Sequence, residues 1–255
     1  MKKIRLLIEY DGAAYHGWQV QKDEMTIQGV IEDRVSIITG LRSSVVGASR
    51  TDAGVHALGQ VAAFRTESRL DGETLKRALN ANLPGDIRVL DALAVDDTFH
   101  PRKDAVKKTY VYFVTNQRNS PVFLGRYSWL VPQALDLESM AEASQVLVGK
   151  HDFSAFMGAG SDIKDPVREI YSLDIEKLKG INFMTSCLKG NFIKMSMEAD
   201  GFLRHMVRNI VGTLIEIGRG RVSADMMKKI LKSLDRKRAG QTAPANGLFL
   251  ERIEY

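Results

Sequence analysis

An α+β fold of two ferredoxin-like βαββαβ halves, largely antiparallel and packed around a central cleft, is what the apolar pattern of this chain predicts. Segments with apolar residues at alternate positions are interleaved with segments of helical spacing. The first half reads βαββαβ, the split βαβ signature, and a similar order returns after position 105. Between Pro101 and Val106 no Gly/Ser-rich linker intervenes, so two domains, 1–104 and 105–255, are expected to pack together and leave a cleft between them.

Each element has its own signal. Lys3 to Tyr10 alternates apolar and polar residues, as a half-buried strand does. Ile27, Val30, Ile31, Val35 and Ile38 repeat at helical spacing, with Thr26 as N-cap and Gly40 as stop. Strands are expected on either side of a loop near position 50, around Val45-Val46 and from Gln60 to Phe64. Leu75, Ala78 and Leu79 mark a second helix that ends at Asn82-Leu83-Pro84-Gly85. Ile87 to Val95 closes the first half as a strand. In the second half, Thr109 to Thr115 reads as a strand, and Met140, Ala143, Val146 and Leu147 as a helix. Tyr171, Leu173 and Ile175 alternate, as do Ile193, Met195, Met197 and Ala199. A helix is expected from about Phe202 and another after the N-cap Ser223, before a last strand from Leu248 to Tyr255.

Composition narrows the class. Hydrophobic residues make up 44% and charged residues 26%, enough to fill a core and solvate its outside. The apolar runs are far too short to span a membrane. Met1-Lys2-Lys3-Ile4-Arg5 is a basic lead-in, but Glu9 and Asp11 follow too soon for a signal peptide. Cys187 is the only cysteine, which removes an internal disulfide and zinc-knuckle spacing and makes the cytoplasm the expected location. The five histidines are scattered, so no zinc set is expected. Gly218-Arg219-Gly220 lacks the third glycine of a dinucleotide loop, and no phosphate loop of the Gly-x4-Gly-Lys type exists.

The net charge of +5 permits an anionic partner, and its placement says more than its sum. Arg102, Lys103, Lys107 and Lys108 form one group; Arg204, Arg208, Arg219 and Arg221 a second; Lys232, Arg236, Lys237 and Arg238 a third. Spread over several elements, they could line a groove that follows phosphates.

The segment Ser49-Arg50-Thr51-Asp52-Ala53-Gly54-Val55-His56-Ala57 sets one carboxylate between an arginine and a glycine turn, between two strands. A loop held between strands presents a reactive group well, and a positioned carboxylate can act as a nucleophile. The ordinary alternative is an Asx-turn ahead of Gly54. Trp18 reads first as core, and so do Tyr110 and Tyr112, although a tyrosine on that strand could instead stack on an everted base. On a helix from Phe202, Arg204, Arg208 and Gly212 fall on one row, which suits a phosphate or a carboxylate partner, or else a solvated basic face. A glycine inside a helix costs roughly 1 kcal/mol against alanine, so Gly212 points to a close approach.

Taken jointly, the segments resemble the tRNA pseudouridine synthase A family in order over nearly the whole chain. They are YDGAAYHGWQVQ from Tyr10, SRTDAGVHALGQV from Ser49, FHPR from Phe99 and KKTYVY from Lys107, then HDFSAF from His151, PVREI from Pro166, GFLRHMVRNIVGTL from Gly201 and TAPANGLFL from Thr242. RTDAGVHA and the arginine helix are specific to that family; the others support it. The resemblance implies the pseudouridine synthase fold and uridine isomerisation in the anticodon stem-loop of tRNA, with no cofactor and no metal, by a homodimer. It implies Asp52 as the catalytic aspartate, Tyr110 as the tyrosine touching substrate and Arg208 as the arginine lying against the carboxylate. It further implies that Arg50 fills the gap left by the flipped nucleotide, and that Arg102, Arg204 and His205 contact tRNA. His100-Pro101-Arg102 departs from the usual His-Ala-Arg, and the family's frequent cysteine is missing where Ser161 to Asp165 stand. The implied reaction breaks the N1–C1′ bond, turns the base and forms C5–C1′. The carboxylate can attack C1′, add to C6 or remove a sugar proton, and the residues do not choose among these. A non-catalytic RNA-binding or RNA-chaperone module on the same fold, and an N-glycosidase, are the rival readings.

Overall fold

The computed structural model describes residues 1–160 and 163–255, and so leaves Ser161 and Asp162, where the family's cysteine was sought, outside the described residues. Its elements run β1 (Lys2–Tyr10), α1 (Ile27–Thr39), β2 (Val46–Gly47), β3 (His56–Thr66), α2 (Gly72–Asn82), β4 (Ile87–Val95) and β5 (Lys107–Thr115). They continue with β6 (Trp129–Leu130), α3 (Leu137–Gln145), β7 (Gly149–Asp152), β8 (Val167–Phe183), β9 (Ser186–Ala199), α4 (Met206–Gly218), α5 (Met226–Ser233) and β10 (Leu248–Glu254). Two compact units result, one of Met1–Lys108 with Phe249–Tyr255, the other of Thr109–Leu248.

In the first unit β1 lies between β4 and β3 and is antiparallel to both, with Leu6 opposite Ala62 on one side and Ala92 on the other. The alternation read from sequence is met: Ile4, Leu6, Ile8 and Tyr10 are buried while their neighbours are half-open. Ile27, Ile31 and Val35 of α1 and Leu75 and Leu79 of α2 join this core. The Thr26 side chain accepts from Gly29 N, and Gly40 ends α1 with φ 75°, so both caps are those expected. Strand β2 pairs antiparallel with β3 through Val46 and Ala63. The compact units divide at 108/109 rather than at 104/105, and the C terminus lies with the first of them. Phe249 and Leu250 run parallel to His56 and Ala57 of β3, and Val106 N donates to Glu254 O at 2.9 Å, so 249–255 belong with the first unit.

In the second unit the order is β5-β9-β8-β7, with the short β6 parallel to β5. Strands β8 and β9 form a long antiparallel hairpin in which Leu173 faces Met197 and Ile175 faces Met195. A register shift after Ile170 breaks the expected alternation: Ile170 and Leu173 are buried and Tyr171 is exposed. Helix α4 is buried on nearly every side, including the polar Asn209 and Thr213. It begins at Met206, four residues later than expected. His205 adopts φ 60°, and the Arg204 carbonyl is taken by Gly158 N at 2.8 Å. Arg204 is therefore off the helix, and the row Arg204–Arg208–Gly212 does not form. Helix α5 also starts late: Asp225 stands at its N-cap, and Ser223 donates its hydroxyl to that carboxylate.

Gly212 does meet a close approach, from the chain itself. A Cβ there would lie 1.7 Å from Gln241 O, and Ala243 N donates to Arg208 O at 3.0 Å. Gly212→Ala should therefore destabilise by about 1–3 kcal/mol, against the stabilisation that alanine brings to an open helix site. Urea unfolding checks this; an unchanged or higher midpoint would mean that residues 240–243 are not seated on α4.

Candidate active site

Asp52 sits on a four-residue turn whose geometry the sequence dictates. Val55 N donates to Asp52 O at 3.1 Å, and Gly54 takes φ 77° at the third position, where a side chain would be strained. The carboxylate-bearing residue is half-buried, Thr51 is buried and Arg50 is exposed. The segment 11–18 lies along this bend. Trp18 N donates to Thr51 O at 3.0 Å and Gly54 N to Tyr15 O at 3.3 Å, while the Tyr10 and Thr51 hydroxyls meet at 2.7 Å. No side chain would fit between the two backbones: a Cβ on Gly12 would lie 2.0 Å from Val55 O, and one on Gly17 would lie 2.6 Å from Thr51 O. Trp18 is core, 1% exposed, and packs where a Cβ on Gly47 would meet its Nε1 at 2.4 Å.

The strand leading into the bend is held as firmly. Gln60 donates to Ser49 O at 2.8 Å and accepts from Ser49 N at 3.2 Å. The buried Lys108 ammonium donates to Ala48 O at 2.8 Å, and Arg102 reaches Gly47 O at 3.4 Å. Arg102 is largely open to solvent, yet partial desolvation and, second, the charge of Arg50 hold its guanidinium below the usual arginine value. Tyr15 donates to Asp86 Oδ1 at 2.6 Å, and burial first, then Asp86, raises its phenol well above the ordinary range.

In the second unit the other expected residues gather around the start of α4. Tyr110 is buried on β5, with Phe202 edge-on to its ring at 5.1 Å. Its neighbour Tyr112 is fully buried and donates to Pro244 O at 2.8 Å; burial raises its phenol, and the Arg208 charge opposes the shift. Arg208 donates through Nε to Ala243 O at 2.8 Å. Adjacent carbonyls thus orient the arginine and Tyr112. The His205 ring rests on Gly158, where a Cβ would meet its Nδ1 at 2.7 Å, and exposed Arg204 donates to Ala159 O at 3.3 Å.

Several residues first read as groove cations serve the fold. Arg219 and Arg221 both pair with Glu216, at 2.8 and 3.0 Å. Arg236 turns inward and donates to Asn209 Oδ1 at 2.9 Å and to Thr242 Oγ1 at 3.0 Å. His56, Asp11, Asp86, Gln60 and the Ala243–Pro244 carbonyls escaped the sequence reading. For all but Asp86, which lies outside the family motifs, the only signal was their place in those motifs, because each acts through a contact that its own segment does not show. Among the described residues, no group of three or more His, Cys, Asp or Glu side chains could hold a metal ion. None of the described helices is long and apolar enough to cross a membrane.

The bend thus holds the half-buried Asp52, with Arg50 two residues before it and Arg102 reaching the strand that leads into it. The chain matches the sequence profile of a family described as tRNA pseudouridine synthase over residues 6–102 and 143–255, and it belongs to that family. A tRNA pseudouridine synthase A from Thermodesulfovibrio yellowstonii is 44% identical over 255 residues, covering all of both chains. Proteins of the same name from Thermoanaerobacter sp. and Acetivibrio thermocellus are 43% and 44% identical, again over all of both chains. The α+β, largely antiparallel architecture fits the pseudouridine synthase fold.

The internal and the exposed arginines should behave differently on mutation. Arg236→Ala should lower stability by about 1–3 kcal/mol, by taking a charged donor from buried Asn209, and leave the salt dependence of tRNA binding unchanged. Arg204→Ala should leave stability alone and reduce the slope of log Kd against log salt by about 1. Titrations at several salt concentrations, with urea melts, distinguish the two; the reverse pattern would exchange their roles.

Proposed function

We propose that Asp52 is the nucleophile of a cofactor-independent isomerase that acts on uridine in the anticodon stem-loop of tRNA. The coarser activity follows from family membership: this is a tRNA pseudouridine synthase, converting uridine in tRNA to pseudouridine. Support for Asp52 comes from one observation above all. Its bend is fixed by backbone contacts with 11–18 and by donors to Gly47, Ala48 and Ser49, so the backbone that carries the carboxylate is in place before substrate arrives. Isomerisation leaves atoms and electrons balanced: the N1–C1′ bond breaks, a C5–C1′ bond forms, and the proton leaving C5 is matched by one gained at N1. No oxidant or group donor is required.

The other roles rest on the family motifs these residues occupy. Tyr110 stacks on the uracil, and Arg208 is a substrate-binding arginine. Arg50 offsets the stacking lost when the nucleotide is everted, which costs a few kcal/mol. Arg102, Arg204 and His205 contact the tRNA backbone. The protein works in the cytoplasm as a homodimer, which a light-scattering mass near twice 28.4 kDa tests.

Asp52→Asn should keep tRNA affinity and lose tritium release from 5-tritiated uridine in tRNA by roughly 10⁴-fold or more. Turnover retained by that variant would remove Asp52 from the role. Wild-type protein that binds tRNA without releasing tritium would mark a non-catalytic module, and free uracil would mark an N-glycosidase. Arg208→Ala should lose about 10²–10³ in rate with the fold intact; near-normal kinetics would assign Arg208 to the fold alone.

A further inference from the structure

His56 opens β3, four residues after Asp52 and next to Val55, at the foot of the bend. It is 1% exposed, and its ring stacks on Phe249 with centroids 4.7 Å apart and planes 24° from parallel. Packing alone would call for an apolar ring there. Instead, Gly12 N donates to Nδ1 at 3.1 Å, and Asp11 Oδ1 lies 3.0 Å from the same nitrogen. The same Asp11 oxygen accepts from Ala13 N at 2.9 Å and so caps the short turn Gly12–Ala14. That turn is one of the parts of segment 11–18 that touch the bend, since a Cβ on Gly12 would lie 2.0 Å from Val55 O.

We infer that His56 and Asp11 form a positioning pair that locks the Gly12–Ala14 turn against Val55 and so sets where the Asp52 carboxylate points. The inference rests on the reading of Asp52 as the reacting group. Each side chain accepts one backbone N–H of the turn, Gly12 N at the ring and Ala13 N at the carboxylate, and a hydrogen bond to a ring removed from water is stronger than one at the surface. Both residues act through Val55, whose N–H closes the turn onto Asp52 O at 3.1 Å. A displacement of about 1 Å at a reacting group can cost about 10²-fold in rate, so a loosened joint should appear in kcat before it appears in binding.

The test uses the full-length protein with tRNA. His56→Phe keeps the ring and its stack on Phe249 while removing Nδ1; His56→Asn keeps a polar group near the Nδ1 position. His56→Phe and Asp11→Ala should each lower kcat by about tenfold to hundredfold, with KM and tRNA Kd within about twofold of wild type. The double variant should be no slower than the slower single one. His56→Asn should recover most of the rate lost in His56→Phe. Wild-type kcat in His56→Phe overturns the proposal, and so does a rate loss matched by an equal loss of tRNA affinity. Failure of both His56→Phe and Asp11→Ala to fold would make the pair a structural element and overturn it as well. Asp52→Asn run alongside separates the two claims: if it is inactive while His56→Phe is normal, only the positioning role falls; if it is active, the reading of Asp52 falls and takes the pair's role with it.

Discussion

Contact between two backbones, with no room for a side chain between them, is the constraint on which the candidate site depends. Gly12 and Gly17 bring segment 11–18 against Val55 and Thr51, at distances that a Cβ would make impossible. Once the chains are that close, Trp18 N, Gly54 N and the Tyr10 hydroxyl find partners directly. Each such bond contributes only about 0.5–1.5 kcal/mol net, but a buried donor left without its acceptor costs more, so the arrangement resists partial opening. The backbone of half-buried Asp52 shares that stiffness.

The second unit uses the same device. Gly212 and Gly240 let residues 240–243 lie on α4, where a Cβ on Gly240 would come 2.8 Å from Thr213 Cα. The carbonyls that follow, of Ala243 and Pro244, orient Arg208 and Tyr112. Buried Asn209 is satisfied from several directions, by Arg236 and Thr242 at its oxygen and by Phe156 O at its nitrogen. Polar groups this deep persist because the network is complete. An arginine with its Nε already bound is fixed in direction, which is what recognition of an anion needs.

Much of this was legible in the sequence. The strand of Ile4, Leu6 and Ile8, helix α1 with both of its caps, and the turn at Gly54 follow from alternation, spacing and local backbone chemistry. What was not legible depends on contacts distant in sequence or on single-residue conformations. The left-handed His205 starts α4 late and removes Arg204 from its row; nothing in helical spacing signals such a residue. The register shift after Ile170 turns Tyr171 outward. Arg236 looks like a surface cation until Asn209 and Thr242 are seen to hold it. Gly212 announced a close approach correctly, but the partner proved to be the chain's own backbone. At the site, Asp52 stood out because it lies inside a dense local motif; Asp11 and Asp86 did not, because their value lies in what they hold across 45 and 71 residues.

A carboxylate set in place before its substrate arrives is a statement about rigidity, and amide hydrogen exchange of the free protein measures it most directly. Gly54 N and Val55 N, bound to Tyr15 O and Asp52 O, should exchange as slowly as the amides of β1 and β3 that frame them. Exchange at those two amides as fast as in an open loop would show that the bend forms only on binding, and would contradict a carboxylate held in place by its own backbone.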